Sequence, residues 1–408
     1  MLFNIFEAQE WLLEIMKALG GMFLHPLLYW NILLLLVVGS IRINRERRQF
    51  GFKVFPMFYE LLKTWLPSLI AGIFISLMFI GVGIVIPVPT LLLLAVVTIL
   101  LSLHMKYTML SASYTIGITY VLIILSPFIL QYQDIVDFHL FTNTPFMSLS
   151  LLIGILLMLE AFYLVNEHRN KTFPKLTKSS RGMWIGEHEL TTLSLIPLLF
   201  IIPTEQVAQF FDFLPYYPHE GASYSLLLIP FPIGYHISVQ SALATERAKR
   251  LALQIGILGF VIVILSLSSI YLIWLSFLAV IVAIVGREFI IYKHRSYEAK
   301  TVNYFTKKDN GLHVLSIIPD SPAERLGILT GETIVKVNDI PVQSVNDFYE
   351  ALQQSGANYR LSVIDDMGEV RIVQSALFAG EHYKLGLIFV DEPYDQLGKE
   401  MGLSTVNK

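Results

Sequence analysis

The chain of 408 residues is 54% hydrophobic and 15% charged, with a mean hydropathy of +0.61. Soluble domains hold roughly 45–50% apolar and 25% charged residues, so this composition excludes a wholly soluble protein and calls for a bilayer. A net charge of −3 excludes a nucleic-acid role driven by a global basic field, and the lack of cysteine excludes disulfides, thiol catalysis and cysteine-ligated metals.

The opening residues, MLFNIFEAQEWLLEIMK, lack the basic n-region and small-residue cleavage site of a signal peptide. They read as an amphipathic helix or as the lead-in to the first span. Apolar runs follow at roughly 22–41, 66–86, 89–105, 109–130, 146–165, 190–204 and 224–241, most of them near the ~20 residues that cross a bilayer core. Residues 251–286 contain no charge. As one helix, rising about 1.5 Å per residue, this run would measure roughly 54 Å, which a core of about 30 Å accommodates only beyond the usual tilt. Two short spans are expected instead, with the turn near Ser266, Ser268 and Ser269. The expectation is a polytopic α-helical membrane domain over residues 1–286, of about eight to nine helices.

Loop charge orients the set, because Lys and Arg are retained on the cytoplasmic side. Arg42, Arg45, Arg47, Arg48, Lys53 and Lys63 follow the first span, Lys106 the third, Arg169, Lys171, Lys175, Lys178 and Arg181 the fifth, and Arg247, Lys249 and Arg250 the seventh. Residues 87–89, 131–145 and 205–223 hold no Lys or Arg. This places the N-terminus outside and makes Arg42, Arg45, Arg47, Arg48 and Lys53 candidate membrane-surface anchors. Residues 287–308 form a basic juxtamembrane linker with Arg287, Lys293, Arg295 and Lys300, read as a topology anchor or as a contact for anionic head groups.

Residues 309–395 change character, becoming polar and turn-rich, and a short polar tail follows at 396–408. A β-branched run at 312–318 is stopped by PDSP, a helical turn at 323–326 is closed by Gly327, a second strand runs over 333–337, and Ser344 with Asp347 three positions on signals the N-terminus of a helix through about Ser355. The order of SPAERLGI, GETIVKVNDIPV and SVNDFYEAL resembles the PDZ domains of bacterial proteins, with Glu332 where Asp is usual. That resemblance implies a small α/β recognition module of the permuted bacterial type. PDZ domains add an extended peptide to a sheet edge and hold its terminal carboxylate on backbone N–H groups of an X-Φ-G-Φ loop. The residues before Leu312 do not fit that loop, whereas Lys384, Leu385, Gly386 and Leu387 do, with Lys384 adding positive charge; the other reading is an ordinary final strand with a bulge glycine. On the helix, Phe348 and Leu352 are expected to face the core, and Tyr349 and Gln353 the peptide groove.

Enzymatic chemistry finds no motif. An intramembrane metalloprotease needs H-E-x-x-H to place two imidazoles and a glutamate on one helix face, and neither Glu187-His188-Glu189 nor Glu167-His168 has a second histidine four residues away. The G-x-S-G of rhomboid-like proteases and the G-N-S-G-G loop of PDZ-linked serine proteases are also missing, so no catalytic residue, cofactor or metal is expected. Transport is the other class, since ionisable residues at membrane depth are costly. Its candidates are His25, His104, Glu160 and His236, with Asn31, Gln240 and Gln254 nearby; His236 follows the PFPIG break, and helix packing is the competing reading.

Over the whole chain, the block FLHPLLY at 23–29, the long first span, the RINRERR cluster at 42–48, FYE at 58–60 and the PDZ-like end resemble the MinJ family of polytopic division-topology proteins of rod-shaped Gram-positive bacteria. The resemblance implies a membrane adaptor without catalysis, enriched at septum and poles, that bridges a DivIVA-like polar scaffold to MinD, and through it to the MinC inhibitor, and contacts divisome proteins. The alternatives are a membrane-anchored PDZ adaptor for proteolysis or secretion, and a transporter with a regulatory PDZ domain.

Overall fold

The computed structural model describes residues 5–103, 107–130, 141, 144–203, 224–355, 358–376 and 385–394. Helices α1 (Ile5–Met22), α2 (Pro26–Phe50), α3 (Tyr59–Leu62), α4 (Trp65–Val82), α5 (Val88–Ser102), α6 (Ala112–Leu130) and α7 (Phe146–Val165) come first. Their ends are set by local chemistry. His25 accepts the Leu27 N–H ahead of Pro26, and Gly51, at φ +85°, closes α2 on the Arg47 carbonyl. Strands β1 (Phe173–Lys178), β2 (Trp184–Pro203) and β3 (Tyr224–Val239) form a sheet of order β1-β2-β3, and α8 (Ala244–Ser268) and α9 (Trp274–Lys300) complete the helical part.

Five helices among the described residues are long and apolar enough to span a bilayer: α2, α4, α7, α8 and α9; α5 and α6 are shorter apolar helices. The charge-free run 251–286 is divided between α8 and α9, with the break after Ser268. The stretch expected as a linker from Arg287 continues α9 as far as Lys300.

The runs 190–204 and 224–241, expected as membrane-spanning helices, are strands instead. β2 and β3 pair from His188↔Val239 to Pro203↔Tyr224. Pro197, Pro230 and Pro232 lie inside them, and proline in a helix interior removes a hydrogen bond and clashes with the preceding turn. Open strand edges are intolerable in lipid. Here helices, and the extended link between α4 and α5, cover them. Along β2, Ser68 Oγ lies 2.6 Å from Ser194 Oγ, Ser76 Oγ accepts the Leu199 N–H at 2.9 Å, and the Ile86 N–H donates to the Ile201 carbonyl at 2.9 Å. Gly72 permits the approach, since a Cβ there would meet the Pro197 backbone carbonyl and ring. Along β3, Asn31 Nδ2 donates to the Pro230 carbonyl at 3.2 Å and His294 Nε2 to the Ser238 carbonyl at 2.9 Å.

The C-terminal domain comprises β4 (Leu312–Ile317), α10 (Pro322–Arg325), β5 (Thr333–Val337), β6 (Ile340–Pro341), α11 (Val345–Gln353), β7 (Asn358–Ile364), β8 (Val370–Ala376) and β9 (Leu387–Phe389). Its sheet order is β8-β7-β5-β4-β9, with β6 paired to β5. Ser344 accepts the Asp347 N–H and Asp347 answers the Ser344 N–H, a capping box that starts α11. One face of the sheet encloses a core of Val314, Ile334, Phe348, Leu352, Leu361 and Phe389; the other presents Leu315, Ile388 and Val390 to Val54, Phe55, Phe173 and Phe305. The sheet domain is thereby seated on the polar end of the membrane domain.

Candidate peptide-binding site

The last strand, β9, joins the sheet through β4 and forms its edge, pairing Val314↔Phe389, Ser316↔Ile388 and Ile317↔Leu387 antiparallel. The two described residues before it, Leu385 and Gly386, are hydrogen-bonded to the turn that opens α10. Ile318 N–H donates to the Gly386 carbonyl at 2.8 Å and Ala323 N–H to the Leu385 carbonyl at 3.0 Å. Hydrogen-bonded and non-hydrogen-bonded pairs alternate along an antiparallel ladder. With Ile318 and Gly386 bonded, Leu387 directs its N–H and C=O away from β4, toward the edge that no described strand occupies. Gly386 sits at φ +84°, and a Cβ there would strike the Ser321 side chain. Lys384 lies outside the described residues.

Helix α11 stands over this edge, with the Phe348 ring 5.2 Å from Phe389 in an edge-on contact. Phe348 and Leu352 are fully buried. Tyr349 is half-buried, T-shaped against Phe348 at 5.4 Å, and burial raises its phenol above the ordinary value; Gln353 is exposed. Leu385, Gly386 and Leu387 therefore share one end of the sheet with the helix that carries Tyr349 and Gln353. Among the described residues no strand pairs with the outer edge of β9, and α11 stands beside it.

The polar residues singled out in the sequence are placed elsewhere. Of the proposed surface anchors, Arg42 is buried inside the protein and Arg45, half-buried, is taken up by an internal ion pair. Arg42, 5% exposed, donates to Glu60 at 3.0 Å, to Glu46 at 2.9 Å and to the Pro56 carbonyl at 2.6 Å, and its guanidinium lies over Phe173. Arg45 forms a two-pronged pair with Glu189. A count of loop cations cannot distinguish such paired residues from solvated ones. Arg47, Arg48 and Lys53 are exposed.

Among the transport candidates, Glu160 is fully buried and bonded to Arg287 and to Ser111 Oγ at 2.8 Å. Arg287, expected at the membrane surface, is thus an interior residue. His236 lies on a strand, within 2.8 Å of Thr191 Oγ1, while Gln240 Nε2 donates to Glu187 at 3.0 Å; His104 is outside the described residues.

Sequence reasoning missed the seat of the sheet domain. His188 donates from Nε2 to the Leu315 carbonyl at 2.9 Å and accepts from Thr172 Oγ1 at Nδ1, 2.7 Å away. Arg169 donates to the Thr330 carbonyl at 2.5 Å and pairs with Asp366, and Asn170 exchanges hydrogen bonds with the Ile328 carbonyl and the Thr330 N–H. Phe305 stacks between His188 and His313 at 4.7 and 5.2 Å. The signal for it in the sequence is the Glu187-His188-Glu189 triplet, three ionisable residues in a row that suit a polar interface as well as a metal. Among the described residues no group of three or more His, Asp or Glu could hold a metal ion.

A family model for the PDZ domain matches residues 313–364. Across its length the chain is similar to the cell division topological determinant MinJ of Bacillus subtilis (strain 168), with 34% identity over 94% of this chain and 96% of that protein. The chain belongs to the MinJ family. A probable MinJ of Lacticaseibacillus paracasei is 22% identical over 92% of this chain and 99% of its own length, and the same holds for the one from Lacticaseibacillus casei (strain BD-II). The protein is a multi-pass membrane protein with a C-terminal PDZ domain and a role in cell division.

Proposed function

We propose that the protein is a non-enzymatic membrane adaptor that positions the division inhibitor system at poles and septum by bridging a DivIVA-like scaffold to MinD, and to MinC through it. The observation that carries this reading is the extent of the MinJ similarity, which takes in the membrane domain as well as the PDZ domain. A generic PDZ protein would share only the latter. Fluorescent fusions in a rod-shaped host test it: enrichment at septum and poles that disappears with the polar scaffold is expected, and a uniform membrane signal would overturn it.

The PDZ unit, taken as residues 309–395, is on this reading cytoplasmic. It is seated on the end of the membrane domain that carries Arg45, Arg169, Lys175 and Arg247, and the retention of cations inside supports that side. Arg47, Arg48 and Lys53 serve there as surface anchors. Activity of a reporter enzyme that works only outside the cell, fused after Lys408, is the contrary result.

Peptide recognition is assigned to the groove between β9 and α11, with Lys384, Leu385, Gly386 and Leu387 holding the carboxylate and Tyr349 and Gln353 on the opposite wall. A fluorescent peptide with the C-terminal residues of a polar scaffold protein should bind the full-length chain, and its C-terminally amidated form about tenfold or more weaker, because charge-assisted hydrogen bonds are lost. Equal binding of the two forms would remove the carboxylate loop from the proposal.

A further inference from the structure

Where its apolar part gives way to charge, α9 carries Arg287, His294 and Arg295 along one wall of a cavity of about 450 Å³. The spacing of these residues places them on one helical face. Across the cavity stand Thr108 and, at the end of β3, His236. Arg287 is unusual. Its side chain is 1% exposed and is paired with Glu160 through Nη2, yet its Nε, also buried, has no hydrogen-bond partner. A guanidinium offers five donors, and a buried donor left unmade is costly.

The carboxylates nearby are already used. Glu298 lines the cavity but accepts the N–H groups of Gln240 at 2.8 Å and Ser241 at 2.9 Å and the Ser241 hydroxyl at 2.8 Å, and pairs with Arg247 at 3.2 Å. Glu160 offsets the charge of Arg287. Arg295 is exposed and enters none of the ion pairs of the described residues. The cavity therefore keeps positive charge and spare donors, beside apolar walls from Leu251, Ile290 and Ile291.

We propose that this cavity binds a phosphate group, with Arg287 and Arg295 as counter-charges and the Thr108 hydroxyl, which without the anion makes a long 3.5 Å bond to the His236 carbonyl, turning to become a further donor. The anion is either the head group of an anionic phospholipid, whose glycerol and first methylenes would lie on the apolar wall, or a soluble phosphate. Arginine suits this task because its planar fork matches phosphate oxygens.

Ligands that bind only the folded state raise its melting temperature in a saturable way. Full-length protein, purified in detergent free of phospholipid, is to be melted with increasing phosphatidylglycerol, phosphatidylcholine or inorganic phosphate. A saturable rise in Tm with phosphatidylglycerol that phosphatidylcholine does not match is expected, with half-saturation about tenfold weaker in Arg295→Gln and Thr108→Val. The response should vanish in the double variant Glu160→Gln, Arg287→Gln, which removes both buried charges together and strands neither; each variant is read against its own ligand-free Tm. A variant-sensitive rise with inorganic phosphate alone keeps the cavity and makes soluble phosphate its ligand. An equal response to phosphatidylcholine, no saturable response to any ligand, or a response undiminished in Arg295→Gln and Thr108→Val would overturn the proposal. Those two mouth variants carry the test if the double variant does not fold.

Discussion

Gly386 shows how one residue can belong to a binding loop and to the fold at once. Its φ of +84° is open to glycine and strained for a β-branched residue, and the space a Cβ would need is taken by Ser321, the cap of α10. Gly386→Val should therefore destabilise the PDZ domain by about 1–3 kcal/mol or more, seen as a lower midpoint in its denaturation curve; an unchanged midpoint would mean the loop is free to move. Loss of peptide binding in that variant would say nothing about carboxylate capture, so the amidated peptide is the better probe. The sequence marked this glycine through its apolar neighbours, Leu385 and Leu387. It gave no sign of Ser321, because contact between two turns distant in sequence leaves no periodicity to read. Arg42 was opaque for the same reason, its partners being set by how α2 meets α3 and β1.

At the scale of elements, legibility followed punctuation. The PDZ domain was readable because its turns are written in residue types: Ser321 and Ser344 at caps, Gly327 and Gly331 at positive φ, Asn338 and Asp339 at a turn. The β2–β3 hairpin was not, since its segments 195–203 and 226–235 are almost wholly apolar and a fully buried strand has the same hydropathy as a buried helix. Only the internal prolines spoke against helix. The covering of its edges can be tested at Ser76, which accepts the Leu199 N–H and donates to the Gly72 carbonyl. Ser76→Ala leaves a half-buried amide unmade and should cost about 1–3 kcal/mol in the unfolding free energy of the reconstituted protein, whereas Ser40→Ala, whose bond to the Leu36 carbonyl is exposed, should cost little. The Glu160–Arg287 pair ties α7 to α9 in the same way. Glu160→Ala strands a buried guanidinium, and a loss of about 3–5 kcal/mol is expected, larger than that of a double replacement by apolar residues. Equal losses would show that the charges are not coupled.

For the molecule as a whole, the seat between PDZ and membrane domain is built from neutral histidines, and this gives it a pH dependence. Burial lowers His188 to about 4, outweighing the Leu315 carbonyl that would favour the charged ring, and burial likewise lowers His313 to about 4. In an undocked domain these rings return toward the ordinary imidazole value near 6.5. A depressed value in the docked state means that docking favours the neutral ring, so the stabilisation is complete above about pH 6.5 and is lost as the pH falls toward 4. Each pH unit in that window removes about 1.4 kcal/mol per histidine. Arg169 with Asp366 opposes the loss only weakly, being partly exposed. Because the chain has no cysteine, labels placed at Met183 and Met367, both exposed, would report the separation of the two domains without a background signal. A single narrow distance distribution at pH 7.5 should give way to a broad one between pH 6 and 4.5. In His188→Gln, whose amide does not titrate, that change should shrink toward the part due to His313. An identical profile in wild type and His188→Gln would place the pH response elsewhere, and a narrow distribution that persists to pH 4.5 would mean that the domains do not separate at all. Docking of this kind also bears on recognition, because β9 contributes Ile388 to the seat and Leu387 to the groove edge. A peptide added along β9 extends a strand whose other face is held against the membrane domain, so its affinity should fall over the same pH window in which the seat loosens.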